Sequence, residues 1–402
     1  VPIISSTQAT FKAAGDLERK FMDISRFGVK SPGELVPIAG GEHGFVPSPL
    51  PPGWEFPAKL WPALAEAKAR VALLEGVGRT LPNPGLLLQP LAGREAIQSS
   101  RLEGTYASPR ELLLFELEPR EAGPGEEQVN DWREVLNYRR ALEHAITSGL
   151  PLCLRLVRDL HRILLTGVRG KERAPGQFRK IQVAIGTNQR FVPPPPDRLA
   201  SCLDGLEKSF HATSPYDPLI DCFLTHYQFE TIHPFMDGNG RVGRLLLAVM
   251  LKERCALTKP WLYLSEFFEK HRDEYCQRLF EVSTTADWER WVEFCLQGTI
   301  QQAAATVERC ERLRRTREKC MQKLAKAGGS VRLNQIVENL FHSPYVRVTD
   351  VAKQLNVTYP TAKADLDRLV KARILKPLQN TARKTFYAPD VYDAAYADMD
   401  EA

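Results

Sequence analysis

No two cysteines in this chain are spaced C-x-x-C. The eight stand at 153, 202, 222, 255, 276, 295, 310 and 320, mostly inside apolar periodic stretches. Neither a zinc ribbon nor a disulfide framework is indicated, and a reducing, cytoplasmic interior is the expectation. Nowhere do about 18 apolar residues run together without a charge, the length a membrane helix needs. The opening VPIISSTQATFKAAGDLERK lacks a signal peptide's basic start, apolar middle and small-residue cleavage site, so membrane and secretory readings are set aside. A G-x-x-x-x-G-K-[ST] phosphate loop is absent. Charge of one sign is scarce as well: 54 Lys and Arg against 49 Asp and Glu leave +5, too little to argue for nucleic acid. What is there is 402 residues, 43% hydrophobic and 26% charged. That composition excludes disorder across the whole chain and has room for about two to four domains.

Residues 1–44 read as an arm rich in Gly and Pro, with one short helical pattern from Asp16 to Phe27. The proline-rich FVPSPLPPGWEFP that follows is expected to be extended. Trp61 to Gly76 puts Leu64, Ala67, Val71 and Leu74 on one helical stripe, LPNPG breaks the chain, and another helix is expected from about Leu91 to Leu102. These belong to a helical extension over 45–128. From 129 to 300 helical periodicity dominates, except where IQVAIG and RFV flank Thr187-Asn188-Gln189 and predict a β-hairpin flap. Prolines 193–196 predict a stiff extended segment after it. A linker helix is expected over 301–329, with eight Lys and Arg against three Glu in 307–326. In 330–402, LNQIVENLF, VTDVAKQLN and TYPTAKADLDRLVKARI predict three helices, and LKPLQ and KTFYAP two strands joined at Asn380-Thr381. Three helices with a two-stranded ribbon describe a winged helix-turn-helix. Tyr359, Thr361, Lys363 and Arg368 on its third helix, with Arg383 and Lys384 in the wing, could meet a major groove. Asp365 and Asp367 argue against tight DNA binding, so DNA contact stands level with a protein-docking or dimerising role.

The chemistry concentrates in HYQFETIHPFMDGNGRVGRLLLAVM, His226 to Met250. Pro234 should end one helix and Leu245 to Leu251 form the apolar body of the next. Between them, Gly238 and Gly240 allow positive φ and remove bulk, so successive amides around Asn239 can converge on one anion at the positive end of the second helix. Arg241 and Arg244, three apart, can each clamp phosphate oxygens. Asp237 beside bound phosphates suits Mg²⁺, and His233, an imidazole neutral at cellular pH, can take a proton from an attacking hydroxyl. The inferred chemistry is transfer of a phosphate-linked group to an alcohol. His226, Glu230 and His233 also fall on one helix face that could bind Zn²⁺, but Pro234 and the glycine turn explain His233 better. Tyr275, Trp288 and Trp291 could pack on a base ring, although aromatics at such spacing usually belong to a core.

This stretch resembles the active-site motif of the Fic family, H-P-F-x-[DE]-G-N-G-R-x-x-R, which His233, Pro234, Phe235, Asp237, Gly238, Asn239, Gly240, Arg241 and Arg244 meet at every specified position. The resemblance implies a mainly α fold, a Fic-type helical core with a β-hairpin flap, here followed by the winged helix. It implies a protein adenylyltransferase that moves AMP from ATP to a Tyr, Ser or Thr hydroxyl of a target protein or of itself. His233 would be the base and Asp237 the Mg²⁺ ligand. Gly238, Asn239, Gly240, Arg241, Val242, Gly243 and Arg244 would hold the nucleotide, and Phe235 would anchor the loop. Ile181, Gln182, Val183, Ala184 and Ile185 would form the flap on which the target docks. Upstream, Ser99-Ser100-Arg101-Leu102-Glu103-Gly104 is similar to the family's inhibitory pattern [ST]-x-x-x-E-[GN]. Ser99, Glu103 and Gly104 would then restrain the enzyme, Glu103 neutralising Arg244 and repelling the γ-phosphate. Removal of AMP, another phosphate-containing donor such as UTP or CDP-choline, and a DNA-binding regulator that senses nucleotide are the alternatives.

Overall fold

The structure is a computed structural model that describes residues 22–80, 84–121, 123, 126–168, 174–186, 191–379 and 383–400, without the side chains of 85–87 and 400. It is mainly helical, with small antiparallel sheets. A hairpin comes first, β1 (Gly33–Pro37) and β2 (His43–Pro47). Eleven helices follow. They are α1 (Trp61–Arg79), α2 (Pro84–Leu102), α3 (Pro109–Leu117), α4 (Glu127–Thr147), α5 (Leu154–Leu164), α6 (Pro196–His211), α7 (Pro218–Ile232), α8 (Asn239–Arg254), α9 (Ser265–Lys270), α10 (Arg272–Thr285) and α11 (Trp288–Lys326). The C-terminal part contains α12 (Val331–Leu340), β3 (Tyr345–Arg347), α13 (Val348–Gln354), α14 (Tyr359–Lys371), β4 (Lys376–Leu378), β5 (Thr385–Tyr387) and α15 (Pro389–Asp400). Among the described residues no helix is long and apolar enough to cross a membrane.

Helices α7 and α8 form the centre. Both are buried nearly all round, polar residues included, and α8 is buried from Arg241 through Leu251. It packs against α2, α4, α5 and α7. Around this pair, α1 lays its stripe of Leu64, Ala67, Val71 and Leu74 on α11. Trp288 and Trp291 of α11 and Tyr275 of α10 are core residues, 3%, 0% and 5% exposed. The Trp291 indole donates to Phe223 O at 3.1 Å. None of the three presents a free face to a base ring.

Several expectations are corrected. Among the described residues, the hairpin expected around 181–192 is one antiparallel bridge, Ile185 with Phe191, whose amides and carbonyls exchange bonds of 2.8 and 2.9 Å. The expected turn at Thr187-Asn188-Gln189 lies outside the described residues. Gln182 instead folds its amide onto Val183 O and Pro193 O, each at 3.0 Å. Described parts of the N-terminal arm are built into the fold: β1 pairs with β2, and Met22 shares a small apolar cluster with Phe45, Phe191 and Val192. Of the helical pattern from Asp16 to Phe27, residues 16–21 lie outside the described residues, and the rest is a short 3₁₀ turn at Ile24–Arg26. The helix expected from Leu91 begins earlier, at Pro84. The linker helix is the second part of α11, which runs through position 300 without a break.

In the C-terminal part three helices appear where expected, but the sheet has three strands, ordered β3-β5-β4. Tyr345–Arg347 was too short to show a period. The turn residues Asn380-Thr381 lie outside the described residues. Helix α15, not foreseen, returns to α2: Arg94 donates to Asp398 Oδ1 and Oδ2 at 2.7 and 2.8 Å, to Ala395 O at 3.1 Å and to Glu266 Oε2 at 3.0 Å. Arg309 of α11 joins the cluster, 3.3 Å from Asp398. Trp291→Ala should lower unfolding stability by about 3–5 kcal/mol, read from the denaturant midpoint at constant slope. A loss under about 1 kcal/mol would take this residue out of the core.

Candidate active site

The site is the short loop between α7 and α8. Helix α7 ends because Pro234 cannot continue it, and His233 at its C-cap has left-handed dihedrals, φ 50° and ψ 62°. Helix α8 starts after Gly238, whose φ of 74° favours glycine. Asn239 closes the loop on itself, accepting from Phe235 N at 2.8 Å and donating to Phe235 O at 2.9 Å. Its side chain is therefore a staple of the loop, and only its amide faces the mouth of α8 with those of Gly240 and Arg241. The first amides of a helix have no helical acceptor and carry its positive end.

Three of the expected nucleotide-site residues, Val242, Gly243 and Gly240, also have packing or backbone settings that the sequence did not show. Val242 is fully buried and its amide is bonded to Gly238 O at 3.0 Å, so it is not among the unpaired amides at the start of α8. Gly243 is a packing position: a Cβ there would stand 2.1 Å from Glu230 Oε1. Gly240 is helical, without the positive φ expected of it. Its missing side chain instead makes room for Glu103, whose Oε1 would be 2.2 Å from a Cβ at that position.

Phe235 is fully buried and stacks on His161, ring centroids 3.7 Å apart at 9°. His161 Nδ1 accepts from Gly176 N at 2.8 Å. That leaves the proton on Nε2, which donates to Asp237 O at 3.1 Å. Asp237 also accepts from Gly238 N at 2.7 Å through Oδ1, which stands 4.0 Å from Arg241 Nη2. Arg241 donates to Glu134 Oε2 at 2.9 Å, and Thr105 Oγ1 donates to the same oxygen at 3.1 Å. His161, Glu134 and Arg179 went unnoticed in the sequence, since each reaches the loop from a distant stretch of chain.

Arg244 is buried, 3% exposed, and is met by α2. It donates through Nε to Ser99 Oγ at 2.8 Å, and through Nη2 to Ser99 O at 2.9 Å and Glu103 Oε1 at 2.7 Å. The end of α2 explains why these acceptors are there. Gly104 has φ 82°, Thr105 N bonds back to Ser100 O and Gly104 N to Arg101 O, a Schellman stop that only a residue tolerant of positive φ completes without strain. In this tightened turn Glu103 N bonds Ser100 O rather than Ser99 O, leaving the Ser99 carbonyl to Arg244. Burial alone would raise the Glu103 carboxyl; Arg244 and then Arg241 overcome that and hold it below its ordinary value, so it is ionised at neutral pH.

His226, Glu230 and His233 do not assemble as a zinc site. His226 faces Gly243 O at 3.2 Å and Tyr275 OH at 2.9 Å, which occupies both ring nitrogens. Among the described residues no three His, Cys, Asp or Glu side chains gather as a metal site. Burial pushes Glu230 up to about 7 although Arg244 opposes it. His233 Nδ1 lies 3.2 Å from Glu230 O, an oxygen that can only accept, so the proton is on Nδ1 and Nε2 keeps its lone pair. Burial first, and Arg179 with it, brings the His233 pKa down to about 4, against the opposing pull of Glu103 and Asp237. The ring should remain neutral on acidification from pH 7 to about 5; a Cε1–H resonance titrating near 6.5 would contradict this.

Residues 61–147 match the family profile described as Fic/DOC family N-terminal, and residues 151–251 the profile described as Fic/DOC family. The protein adenylyltransferase Fic of Drosophila virilis is 35% identical over 141 residues, 34% of this chain and 28% of that protein. Its namesake in Drosophila ananassae is 33% identical over 153 residues, 37% of this chain and 29% of that protein. The match thus spans less than a third of the length of these curated relatives. A crystal structure of a Fic family protein from Desulfovibrio desulfuricans G20 superposes with a TM-score of 0.55 at 19% identity, covering 84% of this chain and 98% of that one. Fic-1 from C. elegans superposes with a TM-score of 0.50 at 18% identity, over 63% of this chain and 73% of that one. At these identities the structures establish a common fold. The chain thus contains a Fic/DOC family N-terminal domain and a Fic/DOC family domain, side by side in sequence.

Proposed function

We propose that the protein is an ATP- and Mg²⁺-dependent adenylyltransferase acting on a hydroxyl side chain of a target protein or of itself, restrained by Glu103. The observation that carries the reading is the His233 ring contact: Nδ1 lies 3.2 Å from the Glu230 carbonyl, which favours the tautomer that leaves Nε2 to accept a proton. The triphosphate would rest on the first amides of α8, with Arg241 and Arg244 on its outer phosphates. The target oxygen attacks the α-phosphorus, the bond from that phosphorus to the bridging oxygen of pyrophosphate breaks, and His233 Nε2 takes the hydroxyl proton. A nearby triphosphate would raise the imidazole's affinity for that proton. The residues present fit the metal: Asp237, its side chain 28% exposed at the loop, would hold Mg²⁺ together with the phosphates. Bound there, the ion would neutralise phosphate charge.

The Glu103–Arg244 pair supports the restraint. While Glu103 holds Arg244, a γ-phosphate loses its cation and meets a carboxylate. The same ionised carboxylate supports a second reading, in which Glu103 activates water to remove AMP. Part of the proposal is the division into arm (1–44), extension (45–128), catalytic core (129–300), linker (301–329) and a winged helix module (330–402). On that module's third helix four of the five charged side chains are engaged internally: Lys363 with Asp367 at 2.5 Å, Asp365 with Arg332 at 2.9 Å, and Arg368 on Gly328 O at 2.6 Å. We therefore favour protein docking over DNA contact for it.

With α-labelled ATP and lysate proteins, Glu103→Gly should increase label on protein. Adding His233→Ala should cut it about 10²–10⁴-fold while ATP still binds. Full transfer by the histidine variant would remove the base, and label arriving from γ-labelled ATP instead would replace AMP transfer with phosphoryl transfer.

A further inference from the structure

Arg179 belongs to no helix or strand, yet it is 3% exposed and all its recorded guanidinium bonds go to main-chain carbonyls. Nε donates to His233 O at 2.8 Å, Nη1 to Ile181 O at 3.3 Å, and Nη2 to Pro194 O at 2.5 Å and Ile232 O at 3.4 Å. Its own amide donates to Pro234 O at 2.9 Å. Burial lowers its pKa to about 10, so the fork remains charged at neutral pH.

Three pieces of chain converge on this one side chain: the end of α7 with His233, the start of the flap at Ile181, and the proline segment by which the flap returns. The last carbonyls of a helix lack helical donors and carry its negative end, so a buried cation suits them. Only a guanidinium has donors enough, spread in a plane, to reach four such oxygens; an ammonium offers three from a single atom. His233 has a backbone conformation that a residue with a Cβ resists. The Nε bond to its carbonyl fixes that peptide, and with it the direction from which the ring meets Glu230 O.

We propose that Arg179 is the positioning residue of this site, holding His233 in its left-handed conformation and tying the root of the flap to the same point. The proton acceptor and the segment that would present the target then keep one fixed relation. The activity side of this inference rests on the transfer reading above; the geometric side does not.

Arg179→Met keeps the length of the stem and removes the donors, whereas Arg179→Lys keeps the charge with a point donor. In the Glu103→Gly background, label transfer is measured against ATP concentration, and ATP binding by calorimetry. Arg179→Met should lose roughly 10- to 100-fold in kcat with ATP affinity unchanged within about twofold, and Arg179→Lys should recover only part. An unchanged kcat, or a loss lying wholly in ATP binding, overturns the proposal. If Glu103→Gly itself transfers no label, the transferase reading fails, and ¹⁵N spectra of the His233 ring decide the positioning alone. A single Nδ1–H tautomer that becomes mixed in the variants supports it, and identical spectra refute it. A merely structural loss would lower the melting temperature without changing the tautomer. Should Arg179→Met not fold, Arg179→Lys carries both readouts.

Discussion

A charged guanidinium enclosed by protein has to be met by negative charge, and around Arg244 that demand organises the site. The acceptors all come from α2: the Ser99 hydroxyl, a Ser99 carbonyl released by the tightened last turn, and the Glu103 carboxylate. Gly240 has to be glycine for Glu103 to come so close. Whatever displaces Glu103 must therefore bring negative charge of its own, which a phosphate does. On the proposed reading, restraint and nucleotide binding would compete for one cation.

Arg179 holds the His233 end of the loop, and neutral groups hold its middle. His161 directs its Nε2 proton to the Asp237 carbonyl while its ring supports Phe235, and Asn239 bonds both main-chain groups of Phe235. Both histidines nearest the loop have pKa values near 4 because burial disfavours their charged forms. Cations are thus confined to the arginines, and an arriving polyphosphate meets fixed positive charge rather than groups that titrate.

Legibility followed distance along the chain. The stretch from His233 to Arg244 could be read because its geometry is local: a proline stop, a glycine with positive φ and a helix start determine it within a dozen positions. Gly104 could be matched as a motif letter, but its meaning as the stop of α2 needed the turn's hydrogen bonds. Arg179, His161 and Glu134 reach the loop from 54, 76 and 107 residues away, and no periodicity connects such positions. The flap was over-read as two strands because alternating apolar residues register burial on the Phe45–Phe191 cluster as readily as pairing.

By itself the sequence determined several of the helical segments, α15 not among them, where the catalytic-type loop stops one helix and starts the next, and which side chains that loop carries. Those properties depend on neighbours within one or two turns. The tertiary structure alone decided which atoms Glu103 and Ser99 bring to Arg244, that His233 turns Nδ1 toward the Glu230 carbonyl, that α15 grips α2 through Arg94, and that Val242 and Gly243 are closely packed. Each of these is an encounter between surfaces far apart in the chain, set by how α2, α4, α7 and α8 bury their apolar faces together, and a one-dimensional pattern does not record which faces meet.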